Sequence, residues 1–312
     1  MRNRPLVENV LWMVAGAVIL AGFLFLTWHF RGEESPAREL AFKATRVDLV
    51  GRMEYALARA SEAEKSAVLA TTDPDSQRYA DQARAATAEV EREREELAKL
   101  LEAGPSRRER DELSQFSQAF EDLKRVDDEV LRLAVQNTNL KAYALAFGPA
   151  AQALGEMDAA LSQVGAKAAA GPSARRAVDL VYRARIAVLH IQILLAPHIA
   201  EESDAKMDAM EASMRQDEAE AKKDLAGLAE ERGLRGDVEL GKAAAAFARY
   251  AELKVRILAL SRENTNVRSL ALSLDQKRKA MILSLDALRA LKQSILEEPI
   301  VGVNYGRPSM LR

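Results

Sequence analysis

Gln136-Asn137-Thr138-Asn139-Leu140 recurs as Glu263-Asn264-Thr265-Asn266-Val267, with Asn264 lying 127 positions after Asn137. The same offset carries Tyr55 onto Tyr182, Phe120 onto Phe247, Leu131 onto Leu258 and Leu145 onto Leu272. One shift that aligns so much sequence without a gap marks an internal duplication. Each copy is longer than a solenoid unit, so each reads as a domain.

Working outward from the repeated phrase, Phe116, Phe120, Leu123, Val126, Val130, Leu133, Asn137, Leu140, Ala144 and Phe147 follow one another in steps of three or four. The second copy repeats the pattern from Ala243 through Phe247, Tyr250, Leu253, Ile257, Leu260, Asn264 and Val267 to Leu274. That spacing is the apolar seam of a helix packed on other helices, whereas a strand repeats every two residues. Aromatic residues make up 5% of the chain, a bias that suits long helices. Breakers at Thr72-Asp73-Pro74-Asp75, Ala103-Gly104-Pro105 and Gly148-Pro149 cut the first copy into four helices, and Gly171-Pro172-Ser173 separates the copies. In the second copy Pro197 and the run from Gly233 to Gly236 do the same, and a last turn near Leu274-Asp275-Gln276 is inferred from the repeat.

Residues 10–28 carry no charge, which at about 1.5 Å per residue nearly spans a bilayer core. Trp12 and Trp28 flank the run, and Arg2 and Arg4 precede it. The expected fold class is therefore all-α, an N-terminal transmembrane helix followed by two tandem antiparallel four-helix bundles. The boundaries are a cytoplasmic N-terminus at 1–8, the membrane helix at 9–30, a first bundle at 35–168, a second at 173–297 and a non-helical tail at 298–312. The positive-inside rule places the body on the extracytoplasmic side of the cytoplasmic membrane, anchored by a single pass.

Net charge is −2 with both signs interspersed, so the chain shows no nucleic-acid footprint. It has no cysteine, which removes disulfides, thiolate metal sites and cysteine nucleophiles. There is no Gly-rich phosphate loop and no nucleophile–base arrangement at a workable spacing, so the reading is of a non-enzyme without a cofactor. Met207, Met210 and Met214 lie near His198. Their spacing continues into Ala221, Leu225 and Leu228, which marks core packing rather than a copper site.

Asn137 and Asn264 stand out, because each occupies a seam position in an apolar stripe, where an unpaired polar group costs about 1–3 kcal/mol. On the first helix the inward stripe Met53, Leu57, Ala60, Glu64, Ala67 aligns with Leu180, Ala184, Ala187, Ile191, Leu194. With helices one and three parallel, Glu64 and Asn137 fall at about the same height and are expected to share a polar layer, a candidate ligand-binding set with Asn264. Ile191 replaces the carboxylate in the second copy. The competing role for a buried Asn is to fix helix register.

Two stretches carry a family resemblance: Glu64-Lys65-Ser66-Ala67-Val68-Leu69-Ala70-Thr71-Thr72-Asp73-Pro74 and Leu258-Ala259-Leu260-Ser261-Arg262-Glu263-Asn264-Thr265-Asn266. Each is similar to what methyl-accepting chemotaxis receptors carry in their four-helix sensing domain. The resemblance covers most of 35–165 and, more loosely, 173–297. It implies a sensor-like or accessory module that recognises a ligand or partner, works as a homodimer and depends on a protein partner for signal output, since the second membrane helix and signalling hairpin of that family are not in this sequence. A small-molecule ligand belongs to that reading. The rival reading is a structural stalk or interaction protein without one.

Overall fold

The computed structural model describes residues 36–102, 106–169 and 174–300. Ten α-helices occupy them: α1 (Pro36–Leu69), α2 (Asp73–Glu102), α3 (Arg107–Ala134), α4 (Thr138–Leu145), α5 (Ala151–Ala169), α6 (Ala174–Ala200), α7 (Asp204–Glu230), α8 (Val238–Glu263), α9 (Thr265–Leu272) and α10 (Arg278–Glu297). Single π-helical turns, Ala146–Ala150 and Ser273–Lys277, join α4 to α5 and α9 to α10.

Local chemistry explains several ends. Thr72 precedes α2, its hydroxyl accepts the Asp75 N–H at 3.2 Å, and Pro74 stands in the first turn, where a missing N–H costs nothing. Asp237 caps α8 by accepting from the backbone N–H of Glu239 and Leu240. Gly148-Pro149, expected to be a turn, lies inside unbroken helical backbone, where the wider π turn takes up the proline. The same holds 127 residues on, at Asp275-Gln276, and Pro197 lies within α6. The breaks fall instead at the two asparagines. Asn137 (φ 52°) and Asn264 (φ 53°) are the positive-φ non-glycine residues among those described, and each ends one helix and begins another.

The chain divides into two compact units, one drawn from Met1–Tyr55, Val90–Ser117 and Leu285–Arg312, the other from Ala56–Glu89 and Gln118–Ser284. In the first, Leu49, Met53, Leu97, Leu101, Phe116 and Leu291 are buried. Arg46 is buried there too, 2.5 Å from Glu109 and 2.9 Å from Glu298. Lys43 closes the end of α10 by donating to the carbonyls of Leu296 (2.6 Å) and Glu298 (2.7 Å).

In the second unit α5 packs against α6 and α8, and α6 against α7. Met157, Leu161 and Val164 of α5 share one core with Val188, Ile191 and Leu195 of α6, Met214 and Leu228 of α7, and Phe247, Tyr250 and Ile257 of α8. The expected bundles, 35–168 and 173–297, each kept their own fourth helix. Here the fourth helix of the first copy completes the core of the second. Reciprocally, Lys277, from the second copy, is paired with Glu64 of α1 and Asp127 of α3.

The expected fold class needs one correction. Among the described residues the fold is all-helical, and no helix is long and apolar enough to cross a membrane. Even α6, rich in aliphatic side chains, carries Arg175, Arg176, Arg183 and Arg185. The transmembrane helix expected at 9–30, and the single-pass location read from it, are thus not part of the observed architecture, and that span lies outside the described residues. The tail is described only to residue 300, where it is non-helical.

Candidate functional site

Two polar clusters in the second unit contain the three candidate site residues, Glu64, Asn137 and Asn264. The first is built by the repeated phrase. α4 opens with Thr138 and Asn139, α9 with Thr265 and Asn266, and a helix start leaves its first N–H groups without intrahelical partners. Neither preceding asparagine caps its own helix. Each helix is capped by the other instead. Thr138 N–H donates to Thr265 Oγ1 (3.2 Å) and Thr265 N–H to Thr138 Oγ1 (3.1 Å). Asn139 N–H donates to Asn266 Oδ1 (3.2 Å) and Asn266 N–H to Asn139 Oδ1 (3.1 Å). Side-chain oxygens thus stand between two positive helix ends that would otherwise repel. The amide of Asn139 also donates to Asn264 Oδ1 (2.7 Å), and that of Asn266 to Asn137 Oδ1 (3.0 Å). These bonds obey a local two-fold relation with the same 127-residue offset.

The relation fails at the periphery. Asn137 donates to Asp73 Oδ1 and Ser76 Oγ, both at 2.9 Å, whereas Asn264 donates to the Glu201 carbonyl at 2.8 Å. The Asn137 amide, ahead of Lys141, holds the Asp73 carboxyl below its ordinary range.

The second cluster is ionic. Lys277 Nζ lies 2.6 Å from Glu64 Oε2 and 3.1 Å from Asp127 Oδ1, with all three residues buried. Two carboxyls face one ammonium, so full ionisation would leave a net negative charge in the core. Burial pushes the Asp127 carboxyl up, against the pull of Lys277. The adjoining hollow, lined by Leu57, Phe120, Asp127 and Lys277 among others, holds about 10 Å³, roughly the least a single water needs.

Glu64 and Asn137 therefore do not share a layer. Glu64 belongs to the ionic cluster and Asn137 to the crossing, where Asn264 joins it. Each of the three has internal partners. Sequence reasoning missed Lys277, Asp127, Thr138 and Thr265. The repeated Asn-Thr-Asn was itself the signal for the threonines, since Asn tolerates left-handed backbone and Thr suits a helix start. Met207 and Met214 are buried as expected of a core stripe, and His198 bonds Ser261 Oγ at 2.8 Å and Glu211 Oε1 at 3.1 Å. Burial holds the His198 imidazole below its ordinary pKa, against the pull of Glu211. Among the described residues no group of three or more His, Cys, Asp or Glu side chains is placed to hold a metal.

No family model matches the chain, and no curated protein matches it in sequence.

Proposed function

We propose that this chain is a helical interaction scaffold, a rigid presenter of helix faces to protein partners, with no reaction of its own. The observation that carries this reading is that the residues expected to line a ligand pocket already have partners within the fold. Glu64, Asn137 and Asn264, the residues on which a ligand pocket was expected, are held by Lys277, Asp73, Ser76 and the Glu201 carbonyl, and the hollow beside Lys277 and Asp127 has room for about 10 Å³. A pocket that takes a small molecule is typically about 300–1,000 Å³. Reciprocal capping at Thr138 and Thr265 also ties the two copies together at a buried point, a property suited to holding surfaces at fixed positions. The chemoreceptor likeness then describes helix packing rather than ligand sensing.

Thermal unfolding of the intact chain tests this against mixtures of amino acids, organic acids and nucleotides, and against proteins co-isolated with it. A partner protein should raise the transition temperature and the small solutes should not. A metabolite that raised it, and lost that effect in Glu64→Gln, would overturn the reading in favour of a sensor.

A further inference from the structure

Helix α6 has two apolar faces. One, through Ala184, Val188, Ile191 and Leu195, is buried in the core. On the opposite side Tyr182, Ile186, Leu189 and Ile193 follow a four-three-four spacing and stay 57%, 50%, 45% and 66% exposed. That is the seam of a helix that packs against a second helix there. The duplication supplies an internal control. Subtracting the 127-residue offset turns these four into Tyr55, Arg59, Glu62 and Ser66, an ordinary solvated face. Apolar character thus separates the two copies at three of four positions, all outside the core.

Next to this seam lies an open hollow of about 260 Å³, lined by Leu154, Gly155, Met157, Asp158, Arg185 and Leu189. Gly155 creates the room. A Cβ there would meet nothing within 4 Å, and its counterpart in the other copy is Ile282. Glycine inside a helix costs about 0.5–1 kcal/mol relative to alanine, and at Gly155 neither the backbone nor a neighbour requires it. The seam is also basic. α6 holds four arginines against one acidic residue, Asp179, in a chain whose net charge is −2. Arg176 and Arg183 are more exposed than the acids they face, 68% against 10% at Glu231 and 49% against 2% at Asp224. Arg185 is instead paired at 2.5 Å with the more exposed Asp158.

We propose that the outer face of α6 docks an amphipathic helix of another protein, one with acidic flanks and a bulky apolar residue that fills the hollow over Gly155. This rests on the scaffold reading above and names its binding face. An apolar stripe supplies the contact area, the hollow takes an anchor side chain and the arginine rim selects acidic flanks.

The test places a photo-crosslinking residue at Ile186 in the intact chain, expressed in its own cells, with Val255 and the counterpart Arg59 as comparison positions. The crosslinked peptide is then sequenced. The expected adduct joins Ile186 to a peptide with apolar residues at three-four spacing among Asp and Glu. Gly155→Ile and Arg175→Glu should each reduce it, roughly tenfold for the filled anchor site, while thermal unfolding shows both variants folded. An adduct between two copies of this chain, an adduct with lipid, or one indifferent to Gly155→Ile would overturn the proposal. Protein adducts at Val255 or Arg59 but not Ile186 would overturn this face and leave the scaffold reading standing. Absence of protein adducts at all three positions would remove both.

Discussion

Thr138 and Thr265 place their hydroxyl oxygens 3.1 Å apart, and each accepts the backbone N–H of the other. The two side chains hold together residues 127 positions apart in sequence at a site where both are buried. A helix normally draws its N-terminal cap from its own flanking residue. Here neither α4 nor α9 can cap itself, so each start depends on the other copy.

Valine is close to threonine in shape but cannot accept a hydrogen bond. Thr138→Val therefore orphans the Thr265 N–H, and Thr265→Val orphans that of Thr138. Each single variant should lose about 1–3 kcal/mol, the cost of an unsatisfied buried group. Because the two bonds share one pair of hydroxyls, the double variant should lose less than the sum of the singles. Urea denaturation of the four proteins measures this, and strict additivity would mean the two caps act independently.

Removing the cation from the ionic cluster should be more damaging. Lys277→Met leaves Glu64 and Asp127 facing each other with no counter-charge, and breaking a buried ion pair from one side costs about 3–5 kcal/mol. The double variant Glu64→Leu, Lys277→Met should recover much of that loss, since an apolar replacement of a buried pair is often neutral. Failure of the second change to restore stability would mean that Asp127 is the dominant partner of Lys277.

Asp127 gives the fold a pH signature. Its carboxyl pKa is raised by burial above the ordinary 3.8, so the native state holds a proton that the unfolded chain has already released. Where the native state binds more protons, stability falls with rising pH. The contribution is present below 3.8 and is lost as pH rises from there through the raised native value. Asp127→Asn removes this term. The difference between wild-type and variant urea midpoints should thus grow in favour of the variant across that window, and parallel profiles would count against a raised Asp127.

The all-helical fold, the duplication and the seam up to each asparagine were legible in the sequence because each rests on local pattern. The left-handed residue shifts the phase beyond it and leaves Phe147 and Leu274 exposed. Which helices share a core was not legible either. An apolar seam says that a helix packs but not on which partner, and Gly148-Pro149 looked like a turn that would fold the fourth helix back onto its own copy. The π turn at Ala146–Ala150 carries the proline onward instead. That one misreading also displaced Glu64 from Asn137, since a common height required helix three to end at Gly148 as helix one ends at Asp73. The residue types were informative even so: a carboxylate on a core stripe did have a buried partner, in Lys277 from the other copy.

His198 carries the opposite pH sign to Asp127. Burial depresses its imidazole below the ordinary 6.5, so the unfolded chain takes up a proton before the native state does. Stability from this group is full above 6.5 and declines as pH falls through it towards the native value. Protonation would also disturb the bonds to Ser261 and Glu211. Histidine NMR titration should show the His198 ring staying neutral as pH falls through 6.5, and protonation of that ring above 6.5 would contradict the buried geometry.

At Asn137, leucine would be the natural choice if a buried amide merely fixed helix register. A core Asn→Leu change then gains apolar contact and raises stability. The observed backbone reverses that expectation. Asn137 sits at φ 52°, a conformation that costs an ordinary side chain about 1–2 kcal/mol, and leucine has no local hydrogen bond to offset it. The change also strips Asp73 and Ser76 of a donor and leaves the Asn266 amide without its acceptor. Asn137→Leu should therefore lose about 2–5 kcal/mol, combining backbone strain with one unsatisfied polar group. Asn137→Gly, which accepts the backbone but not the bonds, should lose less, and the gap between the two measures the strain. A leucine variant more stable than wild type would show that the break at Asn137 is dispensable and that α3 and α4 can run on as one helix.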